Sequence, residues 1–245
     1  MEYKEYVLMN EIEQSHWWFK GKRRIIFSQL GKFLVNKKNL RILDVGCGTG
    51  IIIKNFQKYG EVVGIDIESI ALRFCLKRGI KNLACASVAN LPFKSNSFDV
   101  VGVFDVLYHK EVKNDVAAMK ELFRVLNPKG ILILTDSADM KLWSRHDAAA
   151  HARERYTIPK MSSRLCSAGF KIEKTTYFNT LLYPVIMIVR KIDNALNKKS
   201  HVKSNIKKTN VLLNKILYFI FVLESYLINF FNLPFGVSIL VIARK

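Results

Sequence analysis

From residue 40 to about residue 135, short apolar runs rich in β-branched side chains alternate with stretches whose apolar positions recur every three or four residues. The runs LRILDV (40–45), EVVGID (61–66), 82–86, FDVVGVF (98–104) and GILILT (130–135) end at or against glycine, aspartate or another polar residue, as buried strands do. Residues 49–59, 69–78 and 113–126 carry helical spacing. The last reads Val116, Met119, Leu122, Phe123, Leu126 and stops at Asn127-Pro128-Lys129-Gly130. This alternation predicts an α/β fold, an open, mostly parallel sheet with helices on both faces and right-handed crossovers.

The flanks are less regular. An aromatic arm, HWWF at 16–19, precedes a helix expected over 22–35. After residue 135 come a polar loop (136–156), a helix from near Pro159, a strand over 170–178 and a last strand over 237–243. The intervening stretch holds VLLNKILYFIFVLESYLINFF at 211–231, long enough to cross a bilayer. Asn214, Lys215, Glu224 and Asn229 interrupt it, and its longest unbroken apolar run is 216–223, so a spanning helix is disfavoured. A helix packed on the core, or one meeting a membrane or lipid substrate, remains. Four parts are expected: an N-terminal aromatic arm and helix (1–36), the core (37–180), a basic and apolar helical insertion (181–235) and a final core strand (236–245).

Composition narrows the class. A chain of 245 residues, 50% apolar, buries a full core. Cys47, Cys75, Cys85 and Cys166 are scattered and form no CxxC pair, which points to reduced thiols in a cytoplasmic setting and to no metal site. Glu2, Lys4 and Glu5 stand where a signal peptide needs apolar residues. The 39 basic and 20 acidic residues leave a formal charge of +19, which favours anionic partners: phosphorylated substrates, acidic headgroups or nucleic acid. The run KKSHVKSNIKK at 198–208 is read as a solvated linker or as a strip peripheral to the inner face of an anionic membrane.

The chemistry concentrates in Leu43-Asp44-Val45-Gly46-Cys47-Gly48-Thr49-Gly50, where a first strand turns into a first helix. Alternate glycines let a nucleotide-like ligand approach bare backbone. Ile51 stands where a dinucleotide fingerprint needs glycine, so the spacing argues against a pyrophosphate loop. Asp66 closes the next strand, where a carboxylate can accept both hydroxyls of a ribose.

With Ala89-Asn90-Leu91-Pro92-Phe93, Ser97-Phe98-Asp99-Val100-Val101 and Leu122 to Gly130 (LFRVLNPKG), these residues resemble the class I S-adenosylmethionine-dependent methyltransferases over roughly residues 40–180. The resemblance implies a Rossmann-like seven-stranded sheet in the order 3-2-1-4-5-7-6, its last strand antiparallel, with the insertion between strands six and seven. It further implies that Asp44, Gly46, Cys47 and Gly48 line the methionine part of S-adenosylmethionine, that Asp66 and Ile67 hold ribose and adenine, and that Phe104 lies beneath. Where the family often has an acidic residue after strand three, this chain has Ser87 followed by Val88.

A hydroxyl acceptor also needs a base. His109 follows strand four, and the loop after strand five concentrates Arg145, His146, His151, Arg153, Arg155 and Tyr156, a substrate-facing location in such sheets. Candidate catalytic residues are His109, His146 and His151; Arg145, Arg155 and Tyr156 are candidate acceptor contacts, the arginines suiting an anionic group. Trp17 and Trp18 are read as a lid over the cofactor or as anchors of the arm. The segments 13–24, 146–157 and 233–238 resemble methyltransferases of glycan and lipid-linked biosynthesis. The expectation is methyl transfer from S-adenosylmethionine to oxygen of a small-molecule, glycan or lipid-linked acceptor. The rivals are an RNA methyltransferase, motivated by charge, and a catalytically silent cofactor-binding subunit, motivated by Ser87.

Overall fold

The structure, a computed structural model, describes residues 3–196 and 208–245. Seven strands form one sheet in the order β3-β2-β1-β4-β5-β7-β6. They are β1 (Leu40–Val45), β2 (Gly60–Asp66), β3 (Leu83–Cys85), β4 (Phe98–Phe104), β5 (Leu126–Ser137), β6 (Lys171–Phe178) and β7 (Ser238–Arg244). The first five run parallel, and β7 is inserted antiparallel between β5 and β6. β1 and β4 adjoin where the winding reverses direction, so the crevice for a ligand opens at their carboxyl ends.

Strand alternation divides the core in two. Leu43, Val101 and Leu132 face one side and pack with Met119, Leu122, Met161 and Leu165, from α5 (Asp115–Val125) and α7 (Ile158–Ser167). Their neighbours Ile42, Val100 and Ile133 face the other side and pack with Ile25, Ile26, Phe56 and Phe221. Those come from α2 (Trp17–Phe33), α3 (Ile51–Phe56) and α9 (Val211–Phe230). Asn114 caps α5 by accepting the Ala117 N–H at 3.0 Å, and α4 (Ser69–Lys77) covers β2 and β3.

Three features depart from the pattern read along the chain. The arm begins with a helix of its own, α1 (Tyr3–Ile12), which no strong apolar period announces. α3 is shorter than the expected 49–59, because Gly50 enters it left-handed at φ 87° and the chain must turn at Tyr59 to start β2. The insertion holds a second helix, α8 (Tyr183–Leu196), beside the expected α9. Of the basic run 198–208, all but Lys208 lies outside the described residues. Lys208 pairs with Glu11 at 3.0 Å.

Candidate functional site

β1 delivers the chain into a turn in which Gly46, Gly48 and Gly50 all have positive φ, at 70°, 54° and 87°. The turn is held by its own backbone: Gly46 and Cys47 both donate to the Ile65 carbonyl, at 2.8 and 2.9 Å. A Cβ on Gly46 would lie 2.4 Å from Val106 Cγ2, so the segment after β4 rests directly on the glycine loop. Asp66, 8% exposed, accepts the Gly48 N–H at 2.9 Å on one oxygen and the Glu68 N–H at 3.0 Å on the other. Each oxygen keeps a second lone pair for a ligand hydroxyl. Burial raises the Asp66 pKa, and these two backbone bonds oppose the shift.

Asp44 lies beneath the loop, fully buried, and neither carboxylate oxygen has a hydrogen-bond partner. Burial first, then the neighbouring Asp66 charge, pushes its pKa up to about 8, with Lys22 as the offsetting cation. A buried carboxyl without a partner is costly and marks a place where a ligand donor or cation completes the structure.

The N-terminal arm covers this region. Tyr6 of α1 packs with Ala71 and Phe74 of α4, and Met9 reaches within 3.4 Å of where a Gly48 Cβ would be. Between α1 and α2, buried Glu13 accepts from Thr49 Oγ1 and from Arg78. From α2, Lys22 reaches the end of β4 and pairs with Asp105, itself at φ 56°. Sequence reasoning passed over Tyr6, Met9, Glu13, Lys22 and Asp105. Glu13 and Lys22 lie inside the segment 13–24, but polar residues in an arm give no period that marks them as inward-facing.

The remaining expected contacts surround the loop. Ile67, 53% exposed, follows Asp66 at the rim. Ser87 turns back on itself, its Oγ accepting the Ala89 N–H at 3.2 Å, while Val88 is buried in the core. Phe104, half-buried at the end of β4, packs 6.1 Å from the Phe56 ring. Cys47 and Cys75 are buried thiols with sulfurs 3.9 Å apart, and that contact together with burial pushes the Cys47 pKa up.

Comparison with known proteins matches residues 43–134 to a methyltransferase domain. An uncharacterized methyltransferase of Schizosaccharomyces pombe is 42% identical over 109 residues, which is 38% of this chain and 38% of that protein. Demethylmenaquinone methyltransferase of Staphylococcus aureus is 31% identical over 150 residues, 57% of this chain and 58% of that protein. A solved S-adenosylmethionine-dependent methyltransferase of Mesorhizobium loti superposes with TM-score 0.60 at 16% identity, over 90% of this chain and 98% of that one. Residues 43–134 match a methyltransferase domain, and the sheet has the strand order of the class I methyltransferase fold. The chain spans less than two thirds of the length of either curated relative, 38% and 58%.

S-adenosylmethionine is the cofactor that this family and fold imply. The residues of this chain fit it: unpartnered Asp44 awaits a donor or cation, and Asp66 has lone pairs to spare.

Past the end of β4, the structure brings two of the three expected histidines together. His109 and His151 meet edge to face, ring centroids 5.9 Å apart, joined by a bridge between His109 and Ala152. His109 Nδ1 accepts the Glu111 N–H at 3.3 Å, and burial holds its pKa below the usual range. His146 sits apart on α6 (Arg145–Ala149); burial, then the Arg190 charge, lower its pKa.

Three of the expected site residues are engaged within the fold. Arg155, 3% exposed, pairs with Asp147 and donates to the carbonyls of Ala138 at 2.7 Å and Val237 at 3.0 Å, so its charge is spent inside the fold. Tyr156 is fully buried, its hydroxyl donating to Asp115 at 2.8 Å. Of the two readings of Trp17, lid or anchor of the arm, its contacts are those of an anchor: its backbone N–H donates to Asn214 at 2.7 Å and its ring meets Phe221 at 5.6 Å, in the seam between α2 and α9. The cover over the glycine loop is α1. Arg145 pairs with Asp193 at 2.7 Å, half-buried.

Proposed function

We propose that this chain transfers the methyl group of S-adenosylmethionine to an oxygen of a small-molecule, glycan or lipid-linked acceptor, with His151 as the base and His109 as a hydrogen-bond donor to the same oxygen. Bound S-adenosylmethionine supplies a methyl already activated on a sulfonium, so the chain has to orient the oxygen, exclude water and take its proton. The observation that carries the reading is the His109–His151 pair beside the segment resting on Gly46. With Nδ1 accepting a backbone N–H, neutral His109 carries its proton on Nε2 and presents a donor. Taking the acceptor's proton then falls to His151.

The test has two arms. Calorimetry should show S-adenosylmethionine binding to wild type and binding weakened by at least about 1.5 kcal/mol in Asp66→Ala, where a charge-assisted contact is lost. Labelled cofactor offered with lipid, glycan, small-metabolite and RNA fractions should place the methyl in one of the first three. In that fraction His151→Gln should lower turnover by about 10²–10⁴-fold and leave cofactor affinity unchanged. Label in RNA alone would replace the acceptor class, and full turnover in His151→Gln would remove the base.

A further inference from the structure

α8 and α9 each carry an apolar row that faces outward, while their polar residues other than Lys191 and Lys215 turn toward the protein, beside the buried Phe221 and Ile228 of α9. On α8, Val185, Ile188, Val189, Ile192 and Leu196 form one row, 53–78% exposed, and no residue of the helix is buried. The opposite side is polar and engaged. Arg190 donates to the Leu142 carbonyl at 2.5 Å, Asp193 pairs with Arg145, and Asn194 donates to the Trp143 carbonyl at 2.9 Å.

α9 repeats the arrangement over 20 residues. Leu212, Ile216, Phe219, Leu223, Tyr226 and Phe230 recur at alternating intervals of four and three and are 47–80% exposed. Inward, Asn214 accepts from Trp17, Phe221 presses on Gly21, Ser225 accepts from Arg24 at 2.9 Å and Asn229 accepts from Gln29 at 2.8 Å. Glu224 accepts the N–H groups of Asn179, Thr180 and Leu181, which fastens α9 to the chain entering α8. Contiguous exposed apolar surface on this scale marks a docking face.

Charge selects the occupant. α2, which flanks α9, carries Lys20, Lys22, Arg23, Arg24 and Lys32 and no acid. Lys20 lies over the Tyr218 ring, Arg24 over Tyr226, and Lys32 on the Asn229 carbonyl, so cations rim the α9 row. The two carboxylates of α8 and α9, Asp193 and Glu224, are both drawn inward. A second copy would set two such rims against each other in molecules of formal charge +19. An anionic bilayer satisfies both the rows and the rim. α9, about 30 Å long at 1.5 Å per residue, could cross a bilayer by length. However, crossing would strip its polar contacts with α2 and leave Asn214, Glu224 and Asn229 in hydrocarbon.

We infer that the outward faces of α8 and α9 seat in the interface of an anionic lipid bilayer, with α9 in the membrane plane. This holds independently of methyl transfer. The test is sedimentation of the full chain with vesicles of phosphatidylcholine alone and of phosphatidylcholine with phosphatidylglycerol. Wild type should bind the anionic vesicles and lose binding as salt is raised. Phe219→Ser with Leu223→Ser, and separately Ile188→Ser with Ile192→Ser, leave charge untouched and should each lower partitioning at least tenfold, with unchanged thermal midpoint and cofactor affinity. No binding by wild type, or serine variants that bind as wild type does, would overturn the inference. So would a wild-type dimer that the serine pairs convert to monomer without any vesicle binding, or resistance to alkaline extraction, which would mean a spanning helix.

Discussion

The buried carboxylate of Glu13 accepts hydrogen bonds from the Thr49 hydroxyl and from Arg78, whose side chain is 10% exposed. One residue from the turn between α1 and α2 thus holds the glycine loop and the end of α4 together. The arm is fastened to the cofactor loop at this point, and Lys22–Asp105 fastens it again at the end of β4.

Glu13→Ala should therefore act on both stability and binding. Removing one member of a buried pair leaves the other charge uncompensated, which costs about 3–5 kcal/mol. Urea titration should show that loss, and hydrogen exchange should show α1 and residues 46–50 opening together. Wild-type exchange in α1 would mean that the arm is held without Glu13, by Tyr6 and Met9 packing and by the Lys208–Glu11, Arg78–Asn10 and Lys22–Asp105 contacts.

Asp44 makes the protein's pH response specific. Its native pKa of about 8 lies above the unfolded value of about 3.9, so between the two the folded state holds a proton that the unfolded state has released. Its effect is to lower stability as pH rises through that window, by up to about 1.4 kcal/mol per pH unit. Asp44→Asn should remove this slope. A cationic ligand favours the carboxylate, so S-adenosylmethionine binding below pH 8 should release a proton and strengthen as pH rises. Calorimetry in two buffers of different ionisation enthalpy measures that proton, and a heat independent of buffer would contradict the assignment.

Arg155→Ala separates a strut from an acceptor contact. Its guanidinium holds Asp147 and two carbonyls inside the fold, so the variant should lose about 3–5 kcal/mol of stability. The protein that stays folded should keep its KM for acceptor. A raised KM with unchanged stability would return Arg155 to the acceptor site.

The parallel α/β core was legible because each of its strands is a short apolar run closed by a turn residue, whereas the strand order came only with the family resemblance carried by the LDVGCGTG loop and Asp66, which occupy adjacent strand ends. The arm was not. Glu13 and Lys22 act through partners 36 and 83 positions away, and no local period encodes such pairings. Arg155 and Tyr156 misled for a related reason: their residue types suit an acceptor, but their partners Asp147 and Asp115 turn them inward. α8 went unread along the chain, and which way its apolar row at 185, 188, 189, 192 and 196 faces depends on Arg190, Asp193 and Asn194 finding partners in residues 142–147.

The two central glycines of the loop should respond differently to the same substitution. Both have positive φ, and an alanine there costs roughly 1–2 kcal/mol in backbone strain. At Gly48 the added methyl meets Met9 Cε at 3.4 Å, an ordinary contact with a flexible side chain. At Gly46 it would lie 2.4 Å from Val106 Cγ2, so Val106 and the segment leading to His109 must move. Gly46→Ala should add about 1–3 kcal/mol of overpacking to the strain and lower turnover per bound cofactor. Gly48→Ala should show the strain alone in urea titrations and leave the chemistry of bound enzyme intact. Equal costs at the two positions would mean that Val106 yields freely and that the loop after β4 is not held by Gly46.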